Sequence, residues 1–167
     1  MADSQRKPAL IQNAPQLSLA AAKIISAACA RKSAQIGVPM NISIVDSTLH
    51  LLHFERLPGA KLTSVEISQN KAFTAAGHKA PTSVYKDAVW PGGKAFGLNS
   101  THGGRFMYIP GGIPLVVKVG GQDVVVGAVG CSTGTPDQDV EVATAGVEAF
   151  QSAWAEQHGD EKVKAKL

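Results

Sequence analysis

The sequence predicts an α+β fold in which one five-stranded antiparallel sheet carries helices packed mainly on one side. Three observations lead there. Runs of alternating apolar and polar residues come in neighbouring pairs divided by short turn segments such as Ser47-Thr48 and Gly120-Gly121, the pattern of hairpins. Each end of the chain holds an apolar stripe at helical spacing, and such a stripe needs a sheet to cover. A chain of 167 residues, 44% of them hydrophobic, suffices for one core and one domain.

In chain order, residues 1–16 read as a flexible N-terminal arm, residues 17–157 as the domain and residues 158–167 as a polar tail. Ser18 can cap a first helix, with Leu17 outside it to pack on the first turn. Ala21, Ile24, Ala28 and Ile36 form its stripe, and Gly37 with Pro39 ends it. Asn41 to Asp46 alternates as a strand with Ile42, Ile44 and Asp46 on one face. After the Ser47-Thr48 turn, His50 to Arg56 is its partner, with Leu52 and Phe54 on one face and Leu51, His53 and Glu55 on the other. Thr63 and Glu66 have the spacing of a capping box for a second helix that reaches Gly77, and Thr82 opens a short helix ending near Trp90.

The stretch from Pro91 to Gly104 contains five glycines, which suits a bent loop with close backbone approach. Arg105 to Ile109 and Leu115 to Val119 read as strands on either side of Pro110 to Pro114. Asp123 to Ser132 is apolar on both faces and belongs near the middle of a covered sheet. The last helix has a cap at Thr135, a proline at the first helical position and Gln138 to complete a capping box. Val140, Ala143, Val147, Phe150 and Trp154 then recur along one face.

Composition narrows the function. Sixteen Lys and Arg against thirteen Asp and Glu give a net charge of +3 with both signs scattered, so the basic stripe of a nucleic-acid binder is missing. Cys29 and Cys131 sit in apolar stretches and read as buried thiols of a reducing compartment. The polar start lacks the apolar core of a signal peptide, and Val124 to Val129 is too short to cross a bilayer. A cytoplasmic protein without a membrane partner is the expectation.

Among the titratable residues, His50 and His53 lie an odd number of positions apart on a strand and face opposite ways, so they do not clasp one metal, and no metal centre is expected. His102, in the glycine-rich loop, can serve as acid, base or iron ligand. Asp46 can hold a turn or a proton, and Glu66 can cap a helix or carry a proton. Lys71 can extend from packed methylenes into a polar groove or lie in solvent. Arg56 and Arg105 offer planar guanidiniums for a carboxylate, or tether strand edges. Thr135 and the free amides near Gly134 can face a ligand oxygen. At least two of Arg56, Lys71, His102 and Arg105 are expected to converge on one cavity, with Phe54, Phe73 or Phe106 against the apolar part of a carboxylated ligand.

One ordered set of motifs carries more than its members do singly. It comprises Ile44-Val45-Asp46, Phe54-Glu55-Arg56, Ile67 through Lys71-Ala72-Phe73-Thr74-Ala75, Pro91-Gly92-Gly93 and Gly103-Gly104-Arg105. It continues with Ile109 to Pro114, Val125-Val126-Gly127-Ala128 and Gly134 to Asp139. The chain thereby resembles the GlcG/HbpS-like family of haem-degrading domains from about Leu17 to Phe150. The resemblance implies a five-stranded sheet of profilin-like or PAS-like architecture, self-association, and a groove where the glycine loops meet the second and last helices. It also implies a small-molecule-binding protein, with haem or a related carboxylated ligand bound near Arg56, Lys71, His102, Arg105 and Thr135. Two other readings stand beside it. One is a cofactor-independent isomerase or lyase moving protons through Asp46, Glu66 and His102, and the other is a structural or interaction module.

Overall fold

A computed structural model describes Leu10 and residues 13–159. The expected tail beyond residue 159 and most of the N-terminal arm lie outside the described residues. Helix α1 spans Leu19–Ile36, β1 Asn41–Asp46, β2 Leu51–Arg56, α2 Ser64–His78, β3 Gly112–Val119, β4 Gln122–Ser132 and α3 Pro136–His158. Every strand pairing is antiparallel, in the order β2-β1-β4-β3.

The sheet has four strands among the described residues, not five. Arg105 to Ile109 makes no ladder because α2 and a short turn of helix take up its polar groups. The Arg105 carbonyl accepts from Thr74 Oγ1 at 3.3 Å, the Met107 amide donates to the same oxygen at 2.9 Å, and the Ile109 carbonyl accepts from Thr82 Oγ1 at 2.8 Å. Pro110 has no amide to offer. The helix expected from Thr82 to Trp90 is a single 3₁₀ turn, Thr82–Tyr85.

The sheet divides the molecule into three layers. Ile42 and Ile44 of β1, Ile113, Leu115 and Val117 of β3, and Val129 and Cys131 of β4 pack against α1 and α3. Their neighbours in the pleat turn the other way, where Val45 and Ala128 meet Ala72, Ala75 and Ala76 of α2. Two of the three long helices therefore share one face, while α2 covers the opposite one. Gly130 makes this second contact close, since a side chain there would fall on the Ser68 carbonyl oxygen and the Ala72 amide.

The stripe of α1 is wider than the expected one. Ala28 is buried and Ala21 and Ile36 pack on the core as expected, but Ala22, Ile25 and Cys29 are fully buried as well, whereas Ile24 is 42% exposed. In β2 a bulge opposite Ile44 and Val45 leaves Leu52 without a direct partner and packs it on the α1–α3 core, so it does not share a face with Phe54, which opposes Ser43. Ser18 caps α1 by accepting from the Ala21 amide, and Thr135 and Gln138 form the expected box on α3. Thr63 makes no such bond to α2.

Candidate functional site

Helix α2 supplies two sets of side chains. Lys71 and Ala72 turn toward the sheet, and Phe73, at the next position, is half-buried at the edge. Lys71 is fully buried, which corrects the expectation of a cation reaching an open groove. Its Nζ donates to Asp139 Oδ2 at 2.6 Å and to the Cys131 carbonyl at 2.9 Å. Burial lowers the pKa of the ammonium, and the charge and hydrogen bond of Asp139 counter that fall. Asp139 also accepts from the Thr133 and Gly134 amides at 3.2 and 2.9 Å. Gly111 makes room for this group, since a side chain there would meet both Asp139 and the Lys71 ammonium. The pair is internal architecture with no face toward a ligand.

The exposed edge of α2 is different. Phe73 receives the guanidinium of Arg105 over its face, 3.9 Å from the ring centroid, and the imidazole of His102 against its edge, with centroids 5.6 Å apart. Arg105 is steadied by Asn70, whose Oδ1 accepts from Nε at 3.3 Å. His102 has φ of 55° and is followed by Gly103 and Gly104, also in the left-handed region. A left-handed conformation costs a residue with a side chain roughly 1–2 kcal/mol, so the surroundings must hold His102 there. The result is an exposed imidazole, an exposed guanidinium and an aromatic ring at one place.

Behind this surface lies a cluster that sequence reasoning missed. His78 Nδ1 and the Tyr85 hydroxyl are 2.9 Å apart, and both rings stand edge-to-face against buried Phe106. Burial first, and then the nearby His102, lowers the His78 pKa. No local pattern in the sequence links His78 to Tyr85, which the short turn Thr82–Tyr85 brings to it. Asn70 and Thr74 were also missed, although both lie one helical turn from residues already under suspicion.

The remaining candidates sit elsewhere. Asp46 holds the β1–β2 turn, accepting at Oδ1 from the Thr48 amide at 2.8 Å, the Thr48 hydroxyl at 2.7 Å and the His50 amide at 3.2 Å. Slight burial works against its ionisation, but these bonds and His50 outweigh it and lower its pKa. Glu66 is exposed in the first turn of α2, and Arg56 is exposed at the end of edge strand β2. Thr135 lines a separate concavity of about 380 Å³ with Lys61, Gly134 and Gln138. Of the four residues expected to converge, His102 and Arg105 meet at Phe73, while Lys71 turns inward. Among the described residues, no group of three or more His, Cys, Asp or Glu could hold a metal ion, and no helix is long and apolar enough to cross a membrane.

Known proteins share this fold. ORFY of Klebsiella pneumoniae superposes with a TM-score of 0.81 at 34% identity, over 87% of this chain and 97% of that one. The crystal structure of a PduOC–haem complex gives 0.74 at 30% identity, over 80% and 94%, and that of HbpS gives 0.74 at 26% identity, over 86% and 96%. In sequence, an uncharacterised 15.0 kDa protein from the dhaT-dhaS intergenic region of Citrobacter freundii is 37% identical over 83% of this chain and 95% of its own length. The corrinoid adenosyltransferase PduO of Salmonella typhimurium is 31% identical over 75% of this chain, yet the match spans only 36% of that enzyme. With the family model for the haem-degrading protein HbpS-like group matching residues 17–148, from the entry to α1 almost to the end of the buried part of α3, the chain belongs to the HbpS-like family.

Proposed function

We propose that this chain binds haem or a related carboxylated ligand at the surface formed by Phe73, His102 and Arg105. The observation that carries the reading is the meeting of His102 and Arg105 on one aromatic ring. An exposed imidazole is a suitable axial donor for haem iron, a guanidinium suits a propionate, and a ring edge suits the macrocycle, so the donor set fits the group. His102 would hold the iron and Arg105 a carboxylate, while Asn70 keeps the guanidinium in place. The haem complex of PduOC, at 30% identity, supports the ligand class. Because both side chains are exposed on a single chain, a second copy would complete the walls of the site, in line with self-association.

Proton transfer finds less support. Asp46 is committed to its turn, and no described contact brings Asp46 or Glu66 to His102.

Titration of the purified protein with haemin should give a saturable, stoichiometric Soret change. His102→Ala should shift the band and weaken binding. Arg105→Ala should keep the band position but cost about ten-fold in affinity, the worth of one charge-assisted hydrogen bond at a half-open site. Identical titrations for the parent and both variants would remove this surface from consideration.

A further inference from the structure

The sheet has two outer edges, β2 and β3, and they are not equivalent. On β3, the Cys131 amide donates to the Gly111 carbonyl at 2.9 Å, and the register sets Ile113 opposite Val129. The alternation of an antiparallel ladder then turns Pro114 outward, where it has no N–H to offer. A bulge follows between Leu115 and Val116, and Lys118 comes after it. Proline, bulge and lysine are features that keep an edge from pairing. Strand β2 has neither proline nor lysine, and its bulge lies toward one end, leaving His53 to Arg56 in unbroken register with β1.

The same alternation decides what the β2 edge presents. The Leu57 amide donates to the Met40 carbonyl at 3.0 Å, so Glu55 and His53 also spend their amides and carbonyls on β1. Phe54 and Arg56 turn theirs outward, and among the described residues no group bonds to them. The side chains alternate through the sheet. His53 and Glu55 lie on the side of α1, where Glu55 Oε2 accepts from Ser26 Oγ at 2.7 Å, and Phe54 lies on the other side, opposite Ser43.

We infer that β2 pairs antiparallel with β2 of a second copy of this chain, about a two-fold axis at Phe54. Opposed residues must share a face of the joined sheet, so a symmetric pair centres on a residue, and the short stretch beside the bulge offers His53, Phe54 or Glu55. Centring on His53 sets two imidazoles against each other, and centring on Glu55 sets two carboxylates. Like charges directly opposite each other are destabilising. Centring on Phe54 lets the two Phe54 residues exchange both of their free backbone bonds and brings their rings together. It also places His53 of each copy opposite Glu55 of the other, where the imidazole can donate to the carboxylate. The strand is complementary to itself in this register alone. The inference does not rest on the ligand reading, because Phe73, His102 and Arg105 lie on α2 and the loop before β3.

His53→Cys chains mixed with Glu55→Cys chains under mild copper-phenanthroline oxidation read the register directly. In the proposed pair these positions oppose each other between ladder bonds, with Cα atoms about 4.5 Å apart, within reach of a disulfide. The mixture should give a linked species of one chain of each kind, at several-fold the yield of linked dimer from either variant alone at the same total concentration. The native thiols, Cys29 and Cys131, are fully buried and stay silent. Phe54→Pro removes an outward amide and leaves the bonds between β1 and β2 in place, so adding it to both chains should cut the mixed yield several-fold. Lys94→Cys, exposed on the loop before β3, sets the level of random collision. A mixed yield no greater than with Lys94→Cys would overturn the proposal. So would dimers formed as readily by His53→Cys or Glu55→Cys chains alone, which would mean a different register.

Discussion

At the scale of single residues, His78 and His102 show how neighbours decide a role. At the end of α2, His78 has Tyr85 as a partner and Phe106 as a wall. Its lowered pKa follows from burial and from His102. A histidine held below its ordinary 6.5 favours the neutral form in the fold. Its effect on stability is therefore absent above pH 6.5 and becomes a growing penalty as pH falls from there through the depressed value. His102→Ala removes the like charge and should raise the His78 pKa, a shift readable from imidazole proton resonances during an NMR titration. A His78 titration unmoved by that substitution would mean that the two rings are not electrostatically linked. Lys71 teaches the complementary lesson. Its helical neighbours were legible, but the carboxylate it meets is 68 positions away, and no local pattern could reveal it.

At the scale of elements, local chemistry was legible where the backbone obeyed it. Two segments have capping-box spacing, Thr63 to Glu66 and Thr135 to Gln138, yet only the second forms the box. Pro136 explains the difference, since a residue before proline is pushed to extended backbone, and Thr135 sits at φ −70°, ψ 161° as an N-cap requires. Thr63 has no such constraint and enters α2 in helical conformation, at φ −65° and ψ −22°, with its hydroxyl off target. Thr135→Ala should thus cost about 1 kcal/mol in urea unfolding, and Thr63→Ala only a few tenths. Equal losses would show that the hydroxyl of Thr135 contributes nothing beyond the backbone shape. The same logic explains the missing strand. Arg105 to Ile109 carries the aromatic and branched residues that favour a strand, but the hydroxyls of Thr74 and Thr82 capture its backbone first, and those partners are distant in sequence. The bulge that moves Leu52 to the other face was equally invisible, because a one-residue insertion in a ladder leaves no mark on composition.

At the scale of the molecule, three layers need something to hold them in register beyond the sheet between them. The small residues of α2 against β4 pack closely but bury little area, so the second face depends on more than apolar contact. Lys71 provides the connection. From α2 it passes the end of β4 at Cys131 and reaches Asp139 in the first turn of α3, joining helices on opposite faces of the sheet. Asp139 in turn fixes the Thr133 and Gly134 amides, where β4 gives way to α3. A buried pair of this kind contributes little net stability compared with an apolar replacement of both partners, but losing one partner strands the other's charge. Lys71→Ala should therefore cost about 3–5 kcal/mol. Lys71→Met, which restores the methylene packing without the charge, should recover only part of the loss. The distinguishing measurement is native-state hydrogen exchange on the Met variant. If Lys71 couples the layers, amides from Ala72 to Ala76 and those in the first turns of α3 should lose protection together, though they lie on opposite faces of the sheet. Loss confined to α2 would show that Lys71 serves its own helix alone.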